Sequence, residues 1–564
     1  MNRVHLVFLV TAGLVTILRF FTLTDLGYDL TYQIQPAQHF LEGKGFGSYI
    51  SKPGYLFEKD YVPLAHFPLG YSIYTAAVLA LGIPLALVTK IFGAFCTMAG
   101  WAGWGMFYIT AQREWNPLPN RFQFGIGYLL SISLPLFATP VWDGTDIFLW
   151  ASVPWILLCL AKGTHKESNS TKFYAIAGFL CGLCCLMRYA SVVVVLFSCL
   201  VILLQAIPTL RIFCRRIFAF TLGALVPVSI QIYQLLFVAG PGSTPGGVGG
   251  EKKVDAILQK LVASFELLPT VNWTLFFWLP DRFLREMTPG HGEALLCVLF
   301  YLISLLLGFL VIKKSGTKTI ANRFGSLPVL GGGLVLVVPF LLLLATAVGS
   351  YPYVGDRRQL QYLVPLVIFL AALPAFQFRA TKISALLSSG YLIGYAIIFL
   401  MCVIFVFLPN AHGKVARKKL MGESRLESFP SIGLEYERCA SRREVMRLLA
   451  QSGKIHIFTS LDNWFSPEQN LKRNKITRIP GCDYIQGVKI QGPLELVIFS
   501  MDGGGGDLDI YELDGRGEVK ISACFEKIPN MSIFKRFEPD SFMPYPTKIL
   551  KAIIPEGALL SFEE

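Results

Sequence analysis

The sequence predicts a polytopic α-helical membrane protein of about eleven transmembrane helices with a C-terminal soluble α/β domain. Three observations carry that prediction. Apolar residues make up 54% of the chain and charged residues only 15%, with a mean hydropathy of +0.54, too apolar for a soluble globule. The apolar residues fall in runs long enough to cross a hydrocarbon core of roughly 30 Å. Basic residues collect in the short loops between those runs.

Runs of spanning length lie at residues 4–23, 84–109, 123–140, 146–162, 172–187, 190–207, 216–239, 293–312, 327–347, 360–376 and 383–408. The first follows Arg3 and lacks a small-residue cleavage site, so it reads as a retained signal anchor. The run 71–81 is short and glycine-bounded; it either spans or lies at the interface as an amphipathic helix. The stretches around Arg113 and Arg121, and those at 162–172, 211–216, 313–323 and 379–382, are basic. With eleven spans they all share the side of the N-terminus, which the excess of Lys and Arg makes the cytoplasm. A twelve-span path with the N-terminus outside also keeps them inside, but moves Asp29 to the cytoplasm; the acids of the 24–67 loop favour eleven. Residues 1–408 then form the membrane domain, with outer loops 24–83 and 240–292, and 409–564 form an extracytoplasmic domain. That domain shows a helical pattern at 442–450 and strand-like runs at 454–459 and 494–500. The net charge of +13 belongs to the loops and gives no reason to invoke nucleic acid.

Several eye-catching motifs have plain explanations. Cys181, Cys184 and Cys185 have metal-like spacing but sit inside an apolar run without a partner group, as small buried thiols do. The glycine-rich 239–250 lacks the Gly-Lys-Ser/Thr ending of a phosphate-cradling loop and reads as a connector or lid. A single DGGGGDLD at 502–509, without a repeat period, reads as a hairpin turn.

Acidic side chains beside spans are expensive, roughly 2.5–3.5 kcal/mol at a helix centre, so several approaching one membrane face single it out. Asp29 follows the first run closely, and Asp143 and Asp146 occupy the outer turn before the fourth. Each alone is equally at home in a solvated loop. Their setting is more specific. Asp29, Tyr32, Ala37, Gly43 and Gly45, then HFPLGY at 66–71, TDIFLW at 145–150, MRY at 187–189 and DRRQLQYLVP at 356–365, follow one another in order. This series resembles membrane glycosyltransferases of the protein-mannosyltransferase and aminoarabinose-transferase type, the GT-C fold. The resemblance covers about residues 1–410.

The resemblance implies a multi-pass cell-envelope enzyme of the cytoplasmic (inner) membrane. It would move a sugar, with inversion, from a polyprenyl-phosphate-linked donor to a glycan, lipid or protein acceptor on the outer face. The leaving group is then a phosphate, which departs as an anion without a proton, so one base facing the acceptor hydroxyl suffices. Asp29 is the expected base. Asp146 orients the acceptor or a cation, with Asp143 in reserve. Arg358 and Arg357, then Arg188, hold the phosphate oxygens, and His66 binds phosphate or metal. Tyr32, Lys44 and Tyr362 are expected to contact substrate, although tyrosines also furnish interfacial belts and Lys44 also suits a solvated turn. The HFPLGY segment has one proline where the family often has two, and no acid follows Asp29 directly. These departures leave a divalent metal optional, and no other cofactor is called for. Rival readings are a transporter or flippase of lipid-linked glycans and a non-catalytic envelope-assembly subunit; a transporter is expected to show paired repeats, and the sequence has no clear internal duplication.

Overall fold

The computed structural model describes residues 13, 16–17, 28–52, 55–65, 67–115, 145–165, 170–207, 209–240, 306, 324–348, 361–363, 365–366, 369–370, 444, 447–448, 455–459, 476–478, 488–489, 494–501, 532–537, 547–554 and 559–560. The runs at 123–140 and 383–408, all of 293–312 except residue 306, most of 4–23, nearly all of the 240–292 loop and the 502–509 turn lie outside the described residues. The chain divides into two compact units, one of 1–23, 65–70 and 90–421, the other of 24–64, 71–89 and 422–564.

The first unit is helical. Its helices are α3 (Leu85–Trp115, from Lys90 onward), α4 (Asp146–His165), α5 (Ser170–Met187), a 3-10 turn at Tyr189–Ser191, α6 (Val192–Ala206), α7 (Leu210–Tyr233, continued by a π-turn at Gln234–Val238) and α8 (Leu327–Val348). Among the described residues, 146–164, 189–206 and 210–238 are long and apolar enough to cross a membrane.

Two ends of this bundle differ in chemistry. At one, the Tyr174 hydroxyl donates to Gln205 Oε1 (2.7 Å), and Gln205 Nε2 donates to the carbonyls of Phe324 (2.7 Å) and Leu160 (3.3 Å). Arg215 donates to Thr171 Oγ1, and the Arg216 guanidinium, stacked on Tyr174, donates to the Gln205 carbonyl. Glu114 Oε2 accepts from the Leu327 amide (2.8 Å) and the Ser326 hydroxyl, placing a negative charge at the start of α8 where the helix dipole favours it. The C-termini of α3, α4 and α6 therefore meet the N-termini of α5, α7 and α8. This up-and-down order brings Arg113, Lys162, Lys172, Arg211, Arg215 and Arg216 to one end, as short loops between spans require.

Packing is closest where side chains are smallest. Gly178 and Gly182 on α5 face Gly223 and Ala224 on α7, with no room for a Cβ: one at Gly178 would stand 1.9 Å from the Phe220 carbonyl oxygen, and one at Gly223 2.1 Å from that of Ala175. Without a hydrophobic drive between helices in lipid, such small-residue seams let backbones approach and gain dispersion contact. Cys181 and Cys184 are buried beside this seam as free thiols. Between α3 and α4 two indole N–H groups find backbone acceptors, Trp104 at the Trp150 carbonyl (3.1 Å) and Trp155 at the Ala99 carbonyl (3.0 Å).

The second unit contains α1 (Tyr28–Leu41), a hairpin of β1 (Gly47–Lys52) and β2 (Tyr55–Pro63), α2 (Gly70–Ala80, from Tyr71 onward) and the C-terminal strands. Helices α1 and α2 stop in the same way. Gly43 and Gly82 adopt φ of 76° and 77°, and the two amides at each end bond back to carbonyls of the last turn, Gly43 to Phe40 and Lys44 to His39, Gly82 to Leu79 and Ile83 to Val78. Glycine is required there for its left-handed backbone. At 11 residues α2 is about 16 Å long, half of a bilayer core.

The tail holds a five-stranded mixed sheet in the order β4 (Ile476–Arg478), β3 (Ile455–Thr459), β6 (Leu494–Met501), β8 (Thr547–Ile554), β7 (Ser532–Phe537). Strand β3 runs parallel to β4 and β6, while β8 is antiparallel to β6 and β7. Within this unit β1 of the early hairpin lies beside β4 of the tail. Of the expected 442–450 helix only Glu444, Arg447 and Leu448 are described, in helical conformation.

A bulky substitution in the glycine seam tests the packing argument. Gly178→Leu is expected to destabilise the detergent-solubilised protein by about 1–3 kcal/mol or more, read as a lower thermal midpoint, because the α7 backbone must retreat.

Candidate active site

The site grows from a break between two helices. Helix α5 ends at Met187, and Arg188 leaves it in an extended conformation (φ −156°, ψ 124°) before the Tyr189–Ser191 turn begins α6. Arg188 thus stands at the C-terminus of a helix, where a cation is favoured, and Asp146 is the first residue of α4, where an anion is favoured. The two side chains form an ion pair and are only 17% and 9% exposed. Each charge has been taken out of water, which costs several kcal/mol per ion unless geometry and further hydrogen bonds repay it.

Hydroxyls surround this region. Tyr362, on a 3-10 turn at Gln361–Leu363, is 2% exposed and within electrostatic reach of the Arg188 guanidinium. Its hydroxyl has no hydrogen-bond partner among the described residues, nor has that of fully buried Ser191, three residues after Arg188. A buried unsatisfied hydroxyl costs about 1–3 kcal/mol, and both groups are able to donate to a ligand oxygen. A guanidinium with a donor hydroxyl in electrostatic reach is chemistry suited to an oxyanion.

A second set of bonds ties the segment 65–70 to the same break. The Tyr189 hydroxyl donates to the Ala65 carbonyl (2.9 Å) and accepts from Gln231 Nε2 (2.9 Å), while Gln231 Oε1 accepts from the Leu69 amide (2.8 Å). Gly70 lies against the Leu186 carbonyl. Parts of four sequence motifs, HFPLGY, TDIFLW, MRY and DRRQLQYLVP, therefore converge around Met187 to Tyr189 in one unit. Of the expected site residues, Asp146, Arg188 and Tyr362 are brought together. His66, Asp143, Arg357 and Arg358 lie outside the described residues.

Asp29, Tyr32 and Lys44 belong to the second unit. Asp29 and Tyr32 belong to the N-terminal part of α1. Lys44 pairs with Glu42 at 3.1 Å and lies over the Tyr49 ring, so its charge is held locally at the helix end. The lip around it is built, not loose. His39 Nδ1 bonds the Gly47 carbonyl (2.6 Å), Ser48 donates to Gln35 Oε1 (3.1 Å), and Tyr49 packs edge-on against His39 and Tyr61. Burial, then neighbouring Tyr49, push the Tyr61 hydroxyl up to about 12.

Three polar residues escaped the sequence reading: Ser191, Gln231 and Lys90. Gln231 and Lys90 each interrupt an apolar run, and that interruption is the signal that marks them.

No family model matches the chain, and no curated protein matches it. Among solved structures the chain is similar to the arabinofuranosyltransferase AftD from Mycobacteria, at 14% identity and a TM-score of 0.46 over 98% of this chain and 41% of that one. It is also similar to the oligosaccharyltransferase of Archaeoglobus fulgidus in the apo form, at 10% identity and a TM-score of 0.38 over 84% of this chain and 64% of that one. The archaeal oligosaccharyltransferase AglB from the same organism, solved with an inhibitory peptide and a dolichol-phosphate, is similar at 12% identity and a TM-score of 0.38, over 88% and 69%. All three neighbours are named as sugar transferases. The chain spans about two fifths of the length of AftD and about two thirds of the archaeal enzyme.

The ion pair makes a quantitative prediction. Asp146→Ala or Arg188→Ala, each leaving a partner charge enclosed, is expected to cost about 3–5 kcal/mol, while the double variant costs less than the sum. Thermal unfolding of the four proteins in one detergent measures the coupling.

Proposed function

We propose that the chain is an integral membrane glycosyltransferase that moves a sugar from a polyprenyl-phosphate carrier to an acceptor on the outer face of the cytoplasmic membrane. The observation that carries this reading is the convergence of four motif segments on the Asp146–Arg188 pair, with two donor hydroxyls left open nearby. Carriers of this kind suit the location, since nucleotide sugars are absent outside the cytoplasmic membrane.

In the proposed reaction an acceptor O–H attacks the anomeric carbon from the face opposite the phosphate. The new glycosidic bond forms as the bond from that carbon to the phosphate oxygen breaks, its electron pair stays on the phosphate, and the acceptor proton passes to Asp29. The configuration inverts. Arg188 with Arg357 and Arg358 offsets the charge that builds on the departing phosphate, and Tyr362 donates a hydrogen bond to it. Asp146 fixes the direction of the Arg188 guanidinium, a more specific role than the handling of acceptor or cation expected of it. Asp143 and His66 stand in reserve for a cation or a phosphate, and Tyr32 and Lys44 line the approach.

The contact of β1 with β4 inside one unit supports the eleven-span path. A twelve-span path would put residues 24–64 and the tail on opposite sides of the bilayer. The 11-residue length of α2 argues the same way. The domain division at about residue 409, with a soluble extracytoplasmic tail, follows from that path.

Two measurements test the reading. Asp29→Asn, inserted at the parental level, is expected to lower sugar transfer by about 10²–10⁴-fold, with the lipid-linked sugar donor accumulating in the cell by mass spectrometry. Full transfer by this variant removes the base from the mechanism. In a cysteine-free background, Lys44→Cys is expected to react with an impermeant maleimide from the outside only; labelling from the cytoplasm alone overturns the topology.

A further inference from the structure

Lys90 is an unusual residue for its place. It lies in the second turn of α3, within the 84–109 apolar run, and is only 2% exposed. A lysine near a membrane interface ordinarily snorkels, its stem along apolar surface and its ammonium among headgroups. An enclosed side chain does not do this. Placing an ammonium inside a span costs roughly 2.5–3.5 kcal/mol even by the gentler scales, so such residues mark functional sites by default.

The helix repeat shows which way the residue faces. Lys90, Thr97, Trp101, Trp104 and Tyr108 recur at intervals of seven, four, three and four, the stripe that one face of an α-helix presents, and none is more than 2% exposed. Further along this stripe Trp104 donates to the Trp150 carbonyl of α4, and Tyr108 donates to the Pro365 carbonyl, three residues after Tyr362. The face that carries Lys90 is therefore the face turned toward the elements that carry Asp146 and Tyr362.

We propose that Lys90 is an anion-binding residue of the sugar-transfer site, whose ammonium holds the phosphate of the lipid-linked donor. This rests on the reading given under Proposed function and adds a cation to it. A lysine is well suited to that role, since its compact ammonium acts as a point charge for phosphate and complements the fixed fork of an arginine.

The test uses the full-length protein in detergent, farnesyl phosphate as the probe, and farnesol and inorganic phosphate as controls. The parent is expected to gain thermal stability with farnesyl phosphate and not with farnesol, and more weakly or not at all with inorganic phosphate. Lys90→Met is expected to weaken the farnesyl phosphate effect by about tenfold or more, while Lys90→Arg restores most of it. An undiminished response in Lys90→Met overturns the assignment and leaves the donor reading standing. A parent without any response to farnesyl phosphate overturns the donor reading and this proposal together. If Lys90→Met, Lys90→Gln and Lys90→Arg all fail to insert, the residue is structural and the assignment falls.

Discussion

The pairing of Asp146 with Arg188 constrains more of this molecule than any other single interaction. Both charges are largely enclosed, so neither tolerates losing the other, and their contact requires the first residue of α4 and the residue after α5 to lie at the same depth. That fixes the register of two spans. It also fixes where the chain must leave helical geometry, because Arg188 reaches Asp146 from an extended backbone. The next residue, Tyr189, then holds Ala65 directly and bonds the Gln231 that holds Leu69. A single electrostatic requirement thus propagates through one turn into the placement of a distant loop.

Much of the helical frame was legible because run length and hydropathy dominate in lipid. The runs 146–162, 172–187, 190–207 and 327–347 coincide within three residues with α4, α5, the 189–206 segment and α8. The disagreements have one cause. Helix α7 starts six residues before the expected 216, and α3 runs six beyond 109, because the added turns carry Arg211, Arg215, Arg113 and Glu114. Hydropathy ends a span at the first charges, whereas backbone hydrogen bonding carries the helix through the interface. In the tail, the strands at 455–459 and 494–501 were readable from local pattern. Their order in the sheet was not, since pairing β3 between β4 and β6 is set by contacts far apart in sequence.

The site was legible where charge or motif order gave a signal. Asp146 and Arg188 stood out as charges beside spans, and Tyr362 came from the order of motifs. Gln231, Ser191 and Lys90 were hidden by the same averaging that found the spans, because one polar residue barely changes the mean of a twenty-residue apolar run. The Gly-Lys-Gly at 43–45 has a local role beside the one proposed for Lys44. Its glycines serve left-handed backbone at Gly43 and Gly45, and its lysine answers Glu42.

The two ends of the helical unit use polar groups for opposite purposes. At the basic end Gln205 is saturated: its amide donates to two carbonyls and its oxygen accepts from Tyr174, while Glu114 caps the start of α8. Buried donors and acceptors matched in this way, as those of Gln205 are, stabilise the scaffold. Around Arg188 the pattern is incomplete. The hydroxyls of Tyr362 and Ser191 are enclosed and unmatched among the described residues, the first in electrostatic reach of the guanidinium that Asp146 holds and the second three residues along the chain from it. Both could have been Phe and Ala at no cost in packing and with a gain in stability, if the fold alone were served. Under the proposed function, the open hydroxyl of Tyr362, in electrostatic reach of a guanidinium that Asp146 holds, is a donor for an anionic ligand oxygen, whereas Gln205 at the basic end has its bonding capacity filled by the scaffold.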